Sequence, residues 1–249
     1  MKSRYEAYMD GIALSSVDPS IYILNIQPSE AKQSIRTSKV AGRAGARVTR
    51  KEQDSTSVTV LFEIHEYDTA KRQLICQKDQ KWAEGNILTV SDRPEQRLKC
   101  VCEQYPRANA REWTEPVSVV FTGYNPPYWE ERIPTTVTTT SSASAYVPGN
   151  APESLVSCVV TASASISTLT LTVGSKSIVL DGIGASANDV ITVGYDANNV
   201  LFIKKNTTSI LNKRTAGSAD DLVAKCGEVN TFTTSANTSA VFTVRGCWR

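Results

Sequence analysis

The run TSVTVLFEIHE, residues 56–66, places apolar side chains on every second position. Val58, Val60, Phe62 and Ile64 therefore share one face, because successive side chains of a strand point to opposite sides. This is the pattern of a half-buried β-strand, and it recurs. TEPVSVVFTGY puts Val117, Val119 and Phe121 on one side, and NILTVSD and RLKCVCEQY read as two further strands. SIYILNIQPSEAKQSIRTSKV suggests two strands around a polar turn. A chain patterned in this way must fold into sheets that each cover a core on one side.

One stretch breaks the pattern. DTAKRQLICQKDQKWAEGN, residues 68–86, predicts an amphipathic helix at about 68–84, with Ala70, Leu74, Ile75 and Trp82 on its stripe. Asp68 is placed to cap it by accepting from an orphan backbone N–H. Gly85 is expected to end it as a left-handed residue.

Composition then divides the chain. Residues 1–133 hold 19 Lys/Arg and 18 Asp/Glu, and the other 116 residues hold 8 and 7. Charge density falls by about half where PTTVTTTSSASAYVPGN begins, a polar, β-branched stretch that reads as an extended linker. The predicted domains are 1–133, a linker 134–148, and 149–249. Just before the break stands YNPPYW, residues 124–129. Pro126 and Pro127 lack a backbone N–H, so no ladder continues through them, and Asn125 is restricted to extended geometry. Tyr124, Pro126, Pro127, Tyr128 and Trp129 are therefore assigned to a domain seam, with the rings expected to be buried rather than gripping a ligand.

The second half contains short β-rich runs divided by turn residues: SLVSCVVTAS, STLTLTVGSKSIVLDG, DVITVGYDANNVLFIKKN and TSAVFTVRGCW. Ala197, Asn198 and Asn199 can carry a left-handed hairpin turn, and the one place a helix is allowed is SADDLVAKCG. The expected architecture is a jelly-roll-like sandwich.

Chemistry-bearing residues are sparse. His65 is the single histidine and lies in a strand, where packing or surface roles outnumber catalytic ones. Cys100 and Cys102 could share a metal on one strand face, but no second Cys/His pair with zinc spacing follows. Catalytic, cofactor-binding and metal residues are all set at none. Glu63, Glu66, Glu130 and Glu131 are the carboxylates a peptidoglycan hydrolase would draw on. VAGRAGARVTRKEQD packs Arg43, Arg47, Arg50 and Lys51 into nine residues around Gly42 and Gly45. It lacks the phosphate-loop pattern, which leaves a solvated loop or a contact arm for another subunit. The net charge of +2 gives no global case for nucleic acid or an anionic membrane. No apolar run reaches the roughly 20 residues of a membrane span. The N-terminal MKSRYEAYMDG is not read as a secretory signal, and the six cysteines are expected to be reduced.

The order of these features resembles the distal tail proteins of long-tailed, siphovirus-type bacteriophages. The likeness runs through the basic Gly42–Arg50 segment, the helix ending at Trp82, LTVSDRPEQRLKC, and VSVVFTGYNPPYW, where Phe121, Asn125, Pro126 and Tyr128 match the way family members close their first domain. It continues through VPGNAPES, DGIGASANDVITVGYDANNVLF, CGEVNTF and AVFTVRGCW. Lys225-Cys226-Gly227 departs from the family's usual Pro-Gly turn. The resemblance implies a mainly β fold: a β-sandwich or barrel-like ring domain with one α-helix, then a jelly-roll-like, galectin-like β-sandwich. It implies a structural, non-enzymatic role as a homo-hexameric ring in the virion tail tip. That ring would join the tail tube to the tip or baseplate, after assembly in the bacterial host cytoplasm. Its implied partners are the tail tube protein, the tape-measure protein, a tail-tip hub or fibre protein and a receptor-binding protein. Genome DNA would pass through the ring without specific binding. Arg43, Arg47, Arg50 and Lys51 would then lie at a subunit interface or along the lumen. The alternative function is a carbohydrate-binding β-sandwich for host cell-wall recognition, with Tyr195, Phe202, Phe232 and Trp248 as the available rings.

Overall fold

The computed structural model describes residues 4–28, 32–39, 44, 46–105 and 116–249. Two compact units emerge, one running up to Glu130 together with Arg249, the other Glu131–Trp248.

The first unit contains β1 (Ala7–Met9), β2 (Ile12–Ala13), β3 (Ile21–Pro28), β4 (Lys32–Ser38), β5 (Arg47–Ile64), α1 (Thr69–Ala83), β6 (Ile87–Val90), β7 (Arg93–Lys99), β8 (Val101–Gln104), β9 (Val117–Gly123) and β10 (Trp129–Glu131). β2, β1, β6, β7 and β10 lie side by side in that order, and a second sheet runs β3-β5-β9-β8, with β4 also on β5. The alternation does what it predicts: Val58, Val60, Phe62 and Ile64 are buried, as are Val117, Val119 and Phe121 opposite them. Leu88, Val90 and Leu98 are buried on the first sheet. The two sheets approach closely at Gly123, where a Cβ would stand 2.8 Å from the Leu98 side chain. Each large side chain buried here contributes roughly 1.5–3 kcal/mol.

The helix is capped as its sequence predicts, with Asp68 Oδ1 accepting from the N–H of Ala70 at 2.8 Å and of Lys71 at 3.3 Å. Its inward face differs from the prediction. Ile75 and Trp82 are buried, but Ala70 and Leu74 face solvent, and Arg72, Cys76, Asp79 and Ala83 complete the buried stripe. Trp82 sets this rotation: its ring meets Phe121 edge-on at 5.8 Å, and its Nε1 donates to the Ile12 carbonyl at 2.8 Å. Gly85 is not a left-handed cap. The cap is Glu84 in right-handed geometry, and Gly85 is small because a Cβ there would come within 2.3 Å of the Met9 side chain. RLKCVCEQY is not one strand either. It breaks at Cys100, whose N–H donates to the Asn86 carbonyl, so β7 and β8 join different sheets.

The second unit contains β11 (Thr135–Thr139), β12 (Ser142–Val147), β13 (Glu153–Ala162), β14 (Leu169–Val173), β15 (Lys176–Leu180), β16 (Val190–Tyr195), β17 (Leu201–Lys205), β18 (Thr208–Ser209), β19 (Val223–Lys225), β20 (Glu228–Thr234), β21 (Thr238–Val244) and β22 (Cys247–Trp248). It is a β-sandwich. One sheet runs β11-β21-β13-β16-β17-β18, with β19 also on β13, and the other runs β12-β20-β14-β15. The inward faces of the strands form one core, centred on Phe232 and Phe242 with ring centroids 5.4 Å apart.

The predicted linker 134–148 is corrected here. Its residues form β11 and β12, one in each sheet, paired with β21 and β20. Val137 and Val147 are buried, while the Ser and Thr residues between them mostly face outward. The stretch reads as polar because strands with one solvated face are half polar, and Thr is a good strand former. SADDLVAKCG likewise forms no helix, since Val223–Lys225 is a strand on β13. Asn199 adopts the expected left-handed turn, at φ 58°.

Candidate functional site

β5 is 18 residues long, and its two halves have different surroundings. From Thr56 onward it is flanked by β9 and β3. From Arg47 to Ser55 it pairs, among the described residues, with β4 alone. At about 3.3 Å per residue this first half makes a two-stranded arm roughly 30 Å long. The register sets Ile35 opposite Lys51, Arg36 opposite Arg50, Thr37 opposite Val48 and Ser38 opposite Arg47. Ile35, Thr37 and Val48 share a face, and Ile35 and Val48 are 53% and 48% exposed. Arg36 and Arg47 are exposed. Residues 32–55 carry seven Lys/Arg against two Asp/Glu, so this segment alone is more positive than the whole chain. Of the predicted basic cluster, Arg47 lies on the arm. Arg50 and Lys51 take part through their backbone, with side chains outside the described residues, and Arg43 lies outside them altogether. Two strands cannot bury a core of their own, and an unpaired strand edge is a template for another chain.

The arm is anchored at the proline stretch. The Pro127 carbonyl accepts from Gln53 Nε2 at 2.5 Å and from Thr56 Oγ1 at 2.6 Å. Trp129 is 1% exposed, with the Arg93 guanidinium 5.0 Å over its ring. Beside it, Arg97 Nη2 donates to Glu130 Oε2 at 2.8 Å. Pro126, Pro127 and Tyr128 are half-buried. Tyr124 corrects the expectation of burial: it is 54% exposed, and its hydroxyl donates to Glu103 Oε1. Tyr124 lies just past the end of β9, where the chain leaves the sheet.

The remaining candidates are held in structural contacts. His65 Nε2 meets Glu63 Oε2 at 2.8 Å and stacks on Tyr22. Glu66 accepts from the Asp68 N–H, and Glu131 from the Gly246 N–H. Cys100 is buried, which pushes its thiol up to about 12, far from the thiolate a metal requires. Cys102 is half-exposed and donates to the Gln104 carbonyl instead. Among the described residues no group of three His, Cys, Asp or Glu side chains could hold a metal, and no helix is long and apolar enough to cross a membrane. Of the four candidate rings Tyr195, Phe202, Phe232 and Trp248, Phe232 is fully buried. The Tyr195 hydroxyl binds the Leu222 backbone at 3.0–3.2 Å. Phe202 lies over Gly194, whose missing Cβ would be 2.8 Å away, and under Lys204. Trp248 is half-buried.

Two features escape a reading of the sequence. Asp79 is buried on α1, and among the described residues neither carboxylate oxygen has a hydrogen-bond partner; burial first, then the charge of Asp18, pushes its carboxyl up to about 7. Tyr146 and Val229 face each other across β12 and β20 and are both exposed. Helical rotation and strand facing decide these, and composition carries no signal for either.

No protein-family model and no curated protein sequence matches the chain. Solved structures do. The SPP1 Dit (gp 19.1) protein, described as a paradigm of the hub adsorption apparatus in phages that infect Gram-positive bacteria, superposes with a TM-score of 0.72 at 14% identity, covering 97% of this chain and 98% of its own. Chains of the phage P2 baseplate in its activated conformation match at 0.50 (10% identity, strontium form) and 0.49 (9% identity, calcium form), each covering 97% of both chains. Over nearly its whole length this chain has the fold of the SPP1 Dit protein, and the resemblance to distal tail proteins read from its sequence holds at the level of fold.

Proposed function

We propose that the chain is a distal tail protein: a structural subunit of a phage tail tip that assembles as a hexameric ring and joins the tail tube to the tip or baseplate. The observation that carries this reading is the match to SPP1 Dit through both units. The β4–β5 arm supports the ring. A ring needs a heterologous interface, with one surface of a subunit meeting a different surface of the next. An arm with exposed Ile35 and Val48, edges unpaired among the described residues and excess positive charge has little to hold it as a free ribbon. We assign it to the neighbouring subunit, with the arginines at positions 43, 47 and 50 at that interface or facing the lumen. There they would lie near passing DNA phosphates without reading sequence. The tail tube, tape-measure, hub or fibre, and receptor-binding proteins are the proposed partners, the virion tail tip the proposed location, and the host cytoplasm the proposed site of assembly.

Electron microscopy and mass measurement of the purified protein, alone and with its tail partners, test the proposal. Six-fold rings are expected. Charge reversal to Glu at Arg43, Arg47 and Arg50 should abolish rings while leaving the monomer's melting temperature unchanged. A monomer that forms no ring under any of these conditions rejects the ring, and normal rings from the triple variant reject the role of the arm.

A further inference from the structure

None of the six cysteines is in a disulfide, but two of them are brought together by the fold of the second unit. Cys226 sits in the turn between β19 and β20. Asn230 fixes that turn: its Oδ1 accepts from the Lys225 N–H, and its Nδ2 donates to the Lys225 and Glu228 carbonyls, all at 2.9–3.1 Å. Gly227 completes it at φ +77°, with its N–H donating to the Val147 carbonyl at 2.7 Å. Cys247 lies on β22, and its carbonyl accepts from Asn150 and Ala151 at 3.0 and 3.1 Å. The segment between Val147 and Ala151 therefore clasps the turn on one hand and the final strand on the other. Gly149 shows how close the clasp is: a Cβ there would fall 2.0 Å from the Cys247 carbonyl oxygen.

The Cys247 thiol, 3.6 Å from the Arg245 carbonyl, also reaches the Cys226 thiol. Hydrogen bonds from the Cys247 thiol and backbone draw the Cys226 thiol below its ordinary range, against its partial burial and the nearby charge of Glu153. Access is unequal: Cys226 is half-exposed, whereas Cys247 is 2% exposed. That is the asymmetry of an attacking and a resolving thiol.

We propose that Cys226 and Cys247 form a redox pair that closes to a disulfide when the protein meets a small-molecule disulfide such as oxidised glutathione. The Cys226 thiolate attacks one sulfur of the oxidant, forming a mixed disulfide and releasing one thiolate. Cys247 loses its proton to solvent and attacks Cys226 Sγ, displacing the second thiolate. Two protein thiols are oxidised, and one oxidant disulfide is reduced to two thiols. The link ties the last strand to the β19–β20 turn and closes a loop holding β20 and β21, which constrains the unfolded chain. Cys158 and Cys100, both buried and both raised by that burial, have no such partner geometry.

The test uses the full chain treated with excess oxidised glutathione, then unfolded, alkylated and digested. Four alkylated cysteines instead of six are expected, with a single cross-linked peptide pair, Cys226 to Cys247. The melting temperature of the second unit should rise by several degrees and return on adding a reductant. Cys247→Ser should stop at the intermediate, carrying one glutathione on Cys226. If that variant does not fold, mapping of the wild-type chain decides alone. Six alkylated cysteines after oxidation overturn the proposal. So does a cross-link between any other pair, or a glutathione that stays on wild-type Cys226 without being displaced.

Discussion

The side-chain amide of Gln53 donates to the carbonyl of Pro127 across 2.5 Å, tying the root of the β4–β5 arm to the proline stretch that ends the first sheet system. Thr56 donates to the same oxygen. Either residue alone can satisfy it, so Gln53→Ala and Thr56→Val should each cost about 1 kcal/mol. The double variant should cost more than their sum, because it leaves a partly buried acceptor without either donor, a loss of about 1 kcal/mol or more. Denaturant titration of the three variants checks this, and strict additivity would refute it.

Trp129 is the largest fully buried side chain among the described residues. Trp129→Ala should destabilise the first unit by about 3–5 kcal/mol. Arg93→Ala, which removes only the cation over the ring, should cost about 0.5–2 kcal/mol. Chemical denaturation followed by fluorescence reads both values. Equal losses from the two variants would mean that the contact, and not the burial, dominates.

Asp79 gives the first unit a pH dependence opposite to that of an ordinary carboxylate. Its folded value of about 7 stands above the unfolded 3.8. Between those values the native protein holds a proton that the unfolded chain has released, so stability from this group falls as pH rises and is lowest above pH 7. The loss is at most about 4 kcal/mol. Asp79→Asn should therefore be more stable than the wild-type chain at pH 8, with the gap closing toward pH 4. A gap that does not change with pH would show that Asp79 stays ionised.

Two glycines should respond in opposite ways to alanine. Gly149→Ala forces a side chain at φ +120° into the Cys247 backbone and should cost at least about 2 kcal/mol. Gly217 has open space around it, so Gly217→Ala should be neutral or stabilising by up to about 1 kcal/mol. Melting curves of the two variants are the check, and equal shifts would show that the Gly149 clasp yields.

Much of the fold is local and was legible. Alternation placed Val58, Val60, Phe62 and Ile64 in the core because the strand period is fixed by covalent geometry. Asp68 announced the helix start because a cap is a contact between near neighbours in the chain. The order of these elements was enough to point to the distal-tail fold, which the match to SPP1 Dit bears out. What the tertiary structure decided were the relations between distant residues. Residues 134–148 looked like a linker, since nothing local told them that β20 and β21, about a hundred residues later, would offer two ladders. Gly85 looked like a cap because Met9, which forbids a side chain there, is far away in the sequence. The arm, the buried Asp79 and the pairing of Cys226 with Cys247 follow the same rule. Periodicity fixes which face a residue occupies, and only the packed chain fixes what that face meets.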